Sequence, residues 1–333
     1  MRRLLVGLLV LGAEHVVAQE APSLKHAGLP FSPGNIEVIW AAPTNQQPKT
    51  LWVYKTVPQH FSDAAISNLM ALGSFTMRDK EKVTAEERAQ LPAEDRAAVE
   101  NVLGFETEDE ARSLGILPAY GWIHYQDIHA YDVRTPIEDV PSEAMAEELG
   151  LKLLDQIGIP RSELAKRRNS SKPLTFMEGG TQGHYDKTHG RQVDGIYCRG
   201  VFFIRQIDGV NFAGIGVAGG FYVNFVSHAK IRELDLVWRN LQPYKKYQVT
   251  SADQITQWIK EGKAVLPGRN DGLDAVRRLT VTQLSPLYMG ELGDKRQDFT
   301  YPFASLDAIA DTGKTNIAID LYCPILTDKE VSP

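Results

Sequence analysis

Only two cysteines occur in 333 residues, too few for a disulfide framework or a four-thiolate zinc site, so the core must rest on apolar burial. No run reaches the roughly 18 apolar residues that a membrane-spanning helix needs. Positive charge is also short: 36 Lys and Arg face 42 Asp and Glu, for a net charge of -6. That balance gives no basic field for nucleic acid. The hydrolase and nucleotide signatures G-x-S-x-G, H-E-x-x-H and the P-loop are missing. Gly214-Ile-Gly216-Val-Ala-Gly219 matches G-x-G-x-x-G, but the alternating run Phe221 to Val226 follows where a dinucleotide site needs a helix, so these glycines read as a bend.

With 43% apolar and 23% charged residues, a folded core is expected without staples. Arg2 and Arg3, the short apolar run Leu4 to Leu11 and the small-residue site Val16-Val17-Ala18 have the layout of a cleavable secretory signal. The expectation is therefore a signal peptide over 1–18 cut after Ala18, a tether over 19–35, and a secreted or periplasmic mature chain. Two units follow, an N-terminal one over 36–140 with a helical insertion and a C-terminal one over 141–333. Cys198 and Cys323 each close a strand-like run and could meet across a sheet as a disulfide; two buried free thiols are the alternative.

The stretch Ile196 to Gly262 organises the chain. Phe221, Val223 and Phe225 alternate with polar neighbours, and Leu234, Leu236 and Trp238 alternate with Glu233, Asp235 and Arg239, which predicts a hairpin with one wet face. Three helices are marked by a capping serine and a closing glycine: Ser62 to Gly73, Ser142 to Gly158 and Ser251 to Gly262. Three such units predict an α+β fold of repeated helix-on-antiparallel-sheet modules.

Lys166 to Asp194 has glycines at 179, 180, 183 and 190 and no apolar period, so it reads as a long Gly-rich loop. Glu178, His184, Asp186, His189 and Asp194 lie in or beside it and form the candidate binding cluster, with any metal unspecified. His124 and His129, like His184 and His189, are five apart, which puts each pair on opposite faces of a strand. Only a loop would aim such a pair at one ion.

Ser142-Glu143-Ala144 with its helix, Arg205-Gln-Ile-Asp-Gly-Val210, Lys230-Ile-Arg-Glu-Leu234 running into Trp238-Arg239, and Ser251-Ala-Asp253 opening a helix together resemble PepSY-type and YycI-like extracytoplasmic bacterial modules. Leu284-Ser-Pro-Leu-Tyr288, Tyr301-Pro302 and Leu321-Tyr-Cys-Pro324 are similar to how such chains finish. The resemblance covers about half the chain and implies an exported, non-catalytic module that binds or regulates, without a cofactor. The expected function is binding of a peptide or protein partner in the cell envelope, through a sheet edge or the 178–195 loop. The alternative is a secreted metal-dependent or His-based hydrolase using His184, Asp186 and His189.

Overall fold

The computed structural model describes residues 24, 28–31, 35–44, 47–80, 89–90, 96, 101–130, 139–186, 191–214, 217–267, 273, 276–293 and 295–331; for 181–186 and 191–195 the description is of the backbone. The expected signal segment and most of the 19–35 tether lie outside these residues, as does most of 81–100.

The protein is mostly β, with three sheets and, among the described residues, three α-helices. The helices fall where the serines predict them. In α1 (Asp63–Leu72), α2 (Glu143–Ile157) and α3 (Ala252–Lys260), the hydroxyls of Ser62, Ser142 and Ser251 accept from the amides of Ala65, Met145 and Gln254. Each such cap stabilises its helix by about 1 kcal/mol.

The repeated helix-on-sheet units do not form. Instead α1 and α2 lie together over one face of a single seven-stranded antiparallel sheet, while α3 inserts Ile255 and Ile259 into a separate core. The reason is that pairing is long-range. Thr50–Val57 pairs with Asn240–Val249, and Glu37–Trp40 runs parallel to the first residues of Arg278–Gly290, so strands from both sides of residue 140 share each sheet. Local helix signals carry no information about such partners.

The seven-stranded sheet contains β1 (Leu103–Glu106), β2 (Arg112–Leu117), β3 (Trp122–Asp127), β4 (Thr175–Asp186), β5 (Arg191–Ile204), β6 (Gly220–Phe225) and β7 (Ile231–Val237). Its spatial order is β1-β2-β3-β7-β6-β5-β4. The period of two sorts its side chains cleanly. Ile123, Tyr125, Val201, Phe203, Phe221, Val223, Leu234 and Leu236 all bury against α1 and α2, where Leu69, Ala146 and Leu154 close the core. Residues of the other parity are left for the opposite face.

A second core joins an eight-stranded sheet, whose central strands are Arg278–Gly290, Pro302–Asp311 and Asn316–Pro324, to a four-stranded sheet around Thr50–Val57 and Asn240–Val249. Arg205, only 3% exposed, sits between the two cores. Its guanidinium lies 5.2 Å from the Phe212 ring of one and 5.0 Å from the Trp238 ring of the other. Arg205 Nε and Nη2 donate to Glu163 Oε2 at 2.8 and 2.6 Å, and Nη1 donates to the Arg239 carbonyl at 2.6 Å.

Three further expectations are corrected. The Gly-rich segment is not a loop: β4 and β5 form a long hairpin, with Gly179 opposite Arg199 and Gly183 opposite Asp194. Backbone hydrogen bonds need no apolar period, and the buried core residues of the hairpin, Val201 and Phe203, belong to β5, with Met177 of β4 packed against them from one side. The two cysteines are free and buried rather than bonded; Cys198 is on β5 and Cys323 is in the eight-stranded sheet, so the two strand ends do not share a sheet. Burial pushes the Cys323 thiol up to about 12. Arg239 is not on the wet face either; it is 4% exposed, just past the end of β7.

Candidate cleft on the open sheet face

The face of the seven-stranded sheet turned away from α1 and α2 carries a row of side chains at matching register. His124 on β3 stands opposite Asp235 on β7, Asp235 opposite Tyr222 on β6, Tyr222 opposite Phe202 on β5, and Phe202 opposite Phe176 on β4. One register step away, Glu233, Asn224, Gly200 and Glu178 form a second row. Cross-strand neighbours on one face are about 5 Å apart, so these rows make a continuous surface.

An open cleft of ≈ 740 Å³ lies over that surface. Trp122, Phe176, Phe202, Val217 and Tyr222 supply its apolar lining, Glu178, Glu233 and Asp235 its carboxylates, and Leu292 with Gly293 one rim. Phe176 is 57% exposed. Two glycines make the shape attainable. A Cβ at Gly200 would meet the Tyr222 hydroxyl at 2.7 Å, so the missing side chain lets Tyr222 lean across β5. A Cβ at Gly293 would meet the Trp122 ring at 2.0 Å, so the rim can close onto the indole.

Hydrogen bonds lock the polar groups. His124 Nδ1 lies 2.7 Å from Asp235 Oδ1, and the Trp122 ring stacks near the imidazole at 5.8 Å with 19° between planes. The Tyr222 hydroxyl donates to Glu178 Oε2 at 3.1 Å and accepts from Asn224 Nδ2 at 2.9 Å. Burial, against the Asn224 donor and with Glu178 adding, pushes the Tyr222 phenol up to about 12, so it stays a neutral donor. Glu233 is raised above the usual carboxylate range by burial first and then by the charge of Asp235.

His124 is also raised. Burial works against its cation, but the hydrogen bond and charge of Asp235, with Glu233 behind them, outweigh that. The sign follows from linkage: a histidine with a raised folded-state pKa contributes stability that is fully present below the unfolded value near 6.5 and is lost as pH rises through the folded value. Glu233 acts in the same direction in its own, more acid window. We expect the stability difference between wild type and His124→Gln to be largest at pH 5.5 and to shrink steadily by pH 8.5 in urea titrations. A difference independent of pH would mean that the Asp235 pairing does not hold the proton.

Of the residues expected to form the site, Glu178 is in the cleft. His184 and Asp186 belong to β4 and Asp194 to β5 by their backbone, while their side chains, and His189 altogether, lie outside the described residues. Among the described residues no three His, Cys, Asp or Glu side chains gather as metal ligands, and no helix is long and apolar enough to cross a membrane. Sequence reasoning reads Trp122 as a core or cleft aromatic and pairs His124 only with His129; it misses Phe176, Phe202 and Tyr222 and the pairing of His124 with Asp235. The signal available for them was strand parity, because each alternates with a core residue, but parity marks a wet face and not which wet faces adjoin.

No family model matches the chain, and no curated protein does. An uncharacterised protein from Eubacterium rectale ATCC 33656, known from a crystal structure, is similar over 90% of this chain and 90% of its own, with a TM-score of 0.44 and 10% identity. That similarity carries no functional argument. What fold and site define is a sheet-rich protein with an acidic, aromatic-lined cleft on a bare sheet face.

Proposed function

We propose that this chain is an exported binding or regulatory protein that takes an extended segment of a peptide or protein partner in the cleft. The carrying observation is the group of Trp122, Phe176, Phe202 and Tyr222 around an open cleft of ≈ 740 Å³. Aromatic side chains kept on a solvent-facing sheet surface, with Phe176 more than half exposed, are a feature of recognition surfaces rather than of folding. The cleft is open and elongated across several strands, which suits an extended ligand better than an enclosed small molecule. Support for export is the order of Arg2-Arg3, the Leu4 to Leu11 run and Ala18. The resemblance of the Ser142 to Gly262 segments to PepSY-type modules supports a non-catalytic role.

The test is selection from a random heptapeptide library on wild-type protein and on the Phe176→Ser/Phe202→Ser double variant. Selected peptides should bind the wild type, change the Trp122 fluorescence, and lose about tenfold or more in affinity on the double variant, since two aromatic contacts are removed. Equal binding to both proteins would move the recognition surface elsewhere.

One observation favours a second reading, acid-base catalysis. With Nδ1 of His124 held by Asp235, Nε2 is the remaining imidazole nitrogen in the cleft, the arrangement by which a carboxylate orients a general base. Among the described residues no Ser, Thr or Cys lines the cleft, so a hydrolytic reaction built from these residues would use water as its nucleophile. Turnover of a bound peptide that His124→Gln abolishes while leaving affinity within about twofold would establish this reading over simple binding.

A further inference from the structure

Resting on the peptide-binding reading, we infer that the cleft selects ligands by a basic side chain, a lysine or arginine whose charged end meets Glu178, Glu233 and Asp235 while its stem runs along the aromatic lining.

The hydrogen-bonding inventory of the cleft is one-sided. Among the described residues, three carboxylates line it and no Lys or Arg does, and the Nδ1 of His124 is paired with Asp235. The single hydroxyl proton of Tyr222 is directed at Glu178. On the same face, Asn224 is 5% exposed; its Nδ2 donates to Tyr222, and its Oδ1 is buried with no partner among the described residues. It stands opposite Glu233 in register. A buried carbonyl oxygen without a donor is costly, so this face of the sheet is short of N–H groups as the cleft is short of positive charge. Ammonium and guanidinium groups are donors only, with no acceptor atom to be left unpaired.

The lining suits the rest of such a side chain. Lysine and arginine bury their methylene stems along apolar surface and keep the charged head in a polar setting. Phe176, Phe202 and Tyr222 line the cleft beside the carboxylates, and a cation over an aromatic ring gains further attraction. Glu233, raised first by burial and then by the charge of Asp235, gains from a cation placed between the two carboxylates. Around His124 the charged groups are Asp235 and Glu233 on β7, while the facing residue of β2 is Gly115, which brings no side chain. Protonation of His124 therefore reduces the negative charge that the ligand meets, and acid weakens rather than strengthens binding.

The experiment uses full-length protein, Trp fluorescence and calorimetry, and three blocked pentapeptides of alanine with lysine, norleucine or glutamate at the centre. The lysine peptide should bind at least about tenfold more tightly than the norleucine one, the size of one charge-assisted contact. The glutamate peptide should be weakest. Glu178→Gln/Glu233→Gln should bring lysine and norleucine within about twofold of each other, because the variant keeps shape and removes charge. The lysine preference should also fall between pH 8 and pH 5, and between 50 and 500 mM salt. Equal binding of lysine and norleucine peptides, both sensitive to Phe202→Ser, would leave the cleft as a binding site and overturn the charge selection. Binding of none of the three peptides by wild type would overturn both. A lysine preference that survives in the double variant would remove the carboxylates from the argument.

Discussion

Glu163→Ala should destabilise the protein by about 3–5 kcal/mol, the range for stripping a buried charge of its partner. Three donors converge on Glu163 Oε2: Arg205 Nε, Arg205 Nη2 and Trp238 Nε1, the last at 3.1 Å. Arg205 is buried between the Phe212 and Trp238 rings and has no route to solvent comparable to that of the glutamate, whose side chain is 34% exposed. Removing the carboxylate leaves a guanidinium held by one carbonyl and two ring faces. Removing the cation instead is milder. Arg205→Met keeps apolar volume between the rings and leaves a carboxylate that solvent reaches, so we expect a smaller loss, about 1–3 kcal/mol. The check is urea unfolding of both variants. The order is the informative part: if Arg205→Met cost as much as Glu163→Ala, packing between the cores would outweigh the ion pair.

This junction explains why the chain was only partly legible. Serine caps are local, and the three helices stand where Ser62, Ser142 and Ser251 put them. Alternation is local too, and the β6-β7 hairpin has Phe221, Val223, Leu234 and Leu236 on the buried face as its period of two requires. Strand order is not local. Nothing near Trp122 announces that β3, paired on one edge with its sequence neighbour β2, pairs on the other with the distant β7, yet that pairing places His124 opposite Asp235. Glycines misled for a related reason. In β4 they read as loop residues, whereas an edge strand paired on one side tolerates them because β5 supplies most of the core contacts, Val201 and Phe203 among them. Arg239 was misplaced by carrying the alternation of β7 two residues past its end at Val237, where the chain turns into the junction between cores.

Arg239 carries the second large effect, because one residue links stability to the cleft. Its Nη1 donates to the Glu291 carbonyl at 2.8 Å, and its Nη2 donates to the carbonyls of Leu292 and Lys295 at 2.7 and 2.8 Å. Gln297 adds a side-chain bond to the Met289 carbonyl and accepts from the Glu291 amide. Together these hold residues 291–293 and 295–297 so that Leu292 and Gly293 form the cleft rim against Trp122. Arg239→Met withdraws three charge-assisted bonds at once. Each unsatisfied buried carbonyl costs about 1–3 kcal/mol, but the segment is half-exposed and water can replace part of the loss, so about 2–4 kcal/mol is the expected total. Arg239→Lys, with a point charge in place of a planar fork, should recover less than half of it. Two readouts separate a rim effect from general weakening. Amide exchange at 291–293 and 295–297 should accelerate by more than in β6 and β7, and cleft ligands should lose affinity at temperatures where the variant is fully folded. Uniform acceleration across the sheet, with ligand affinity unchanged in the folded variant, would make Arg239 a prop of the core junction alone and leave the rim to hold itself.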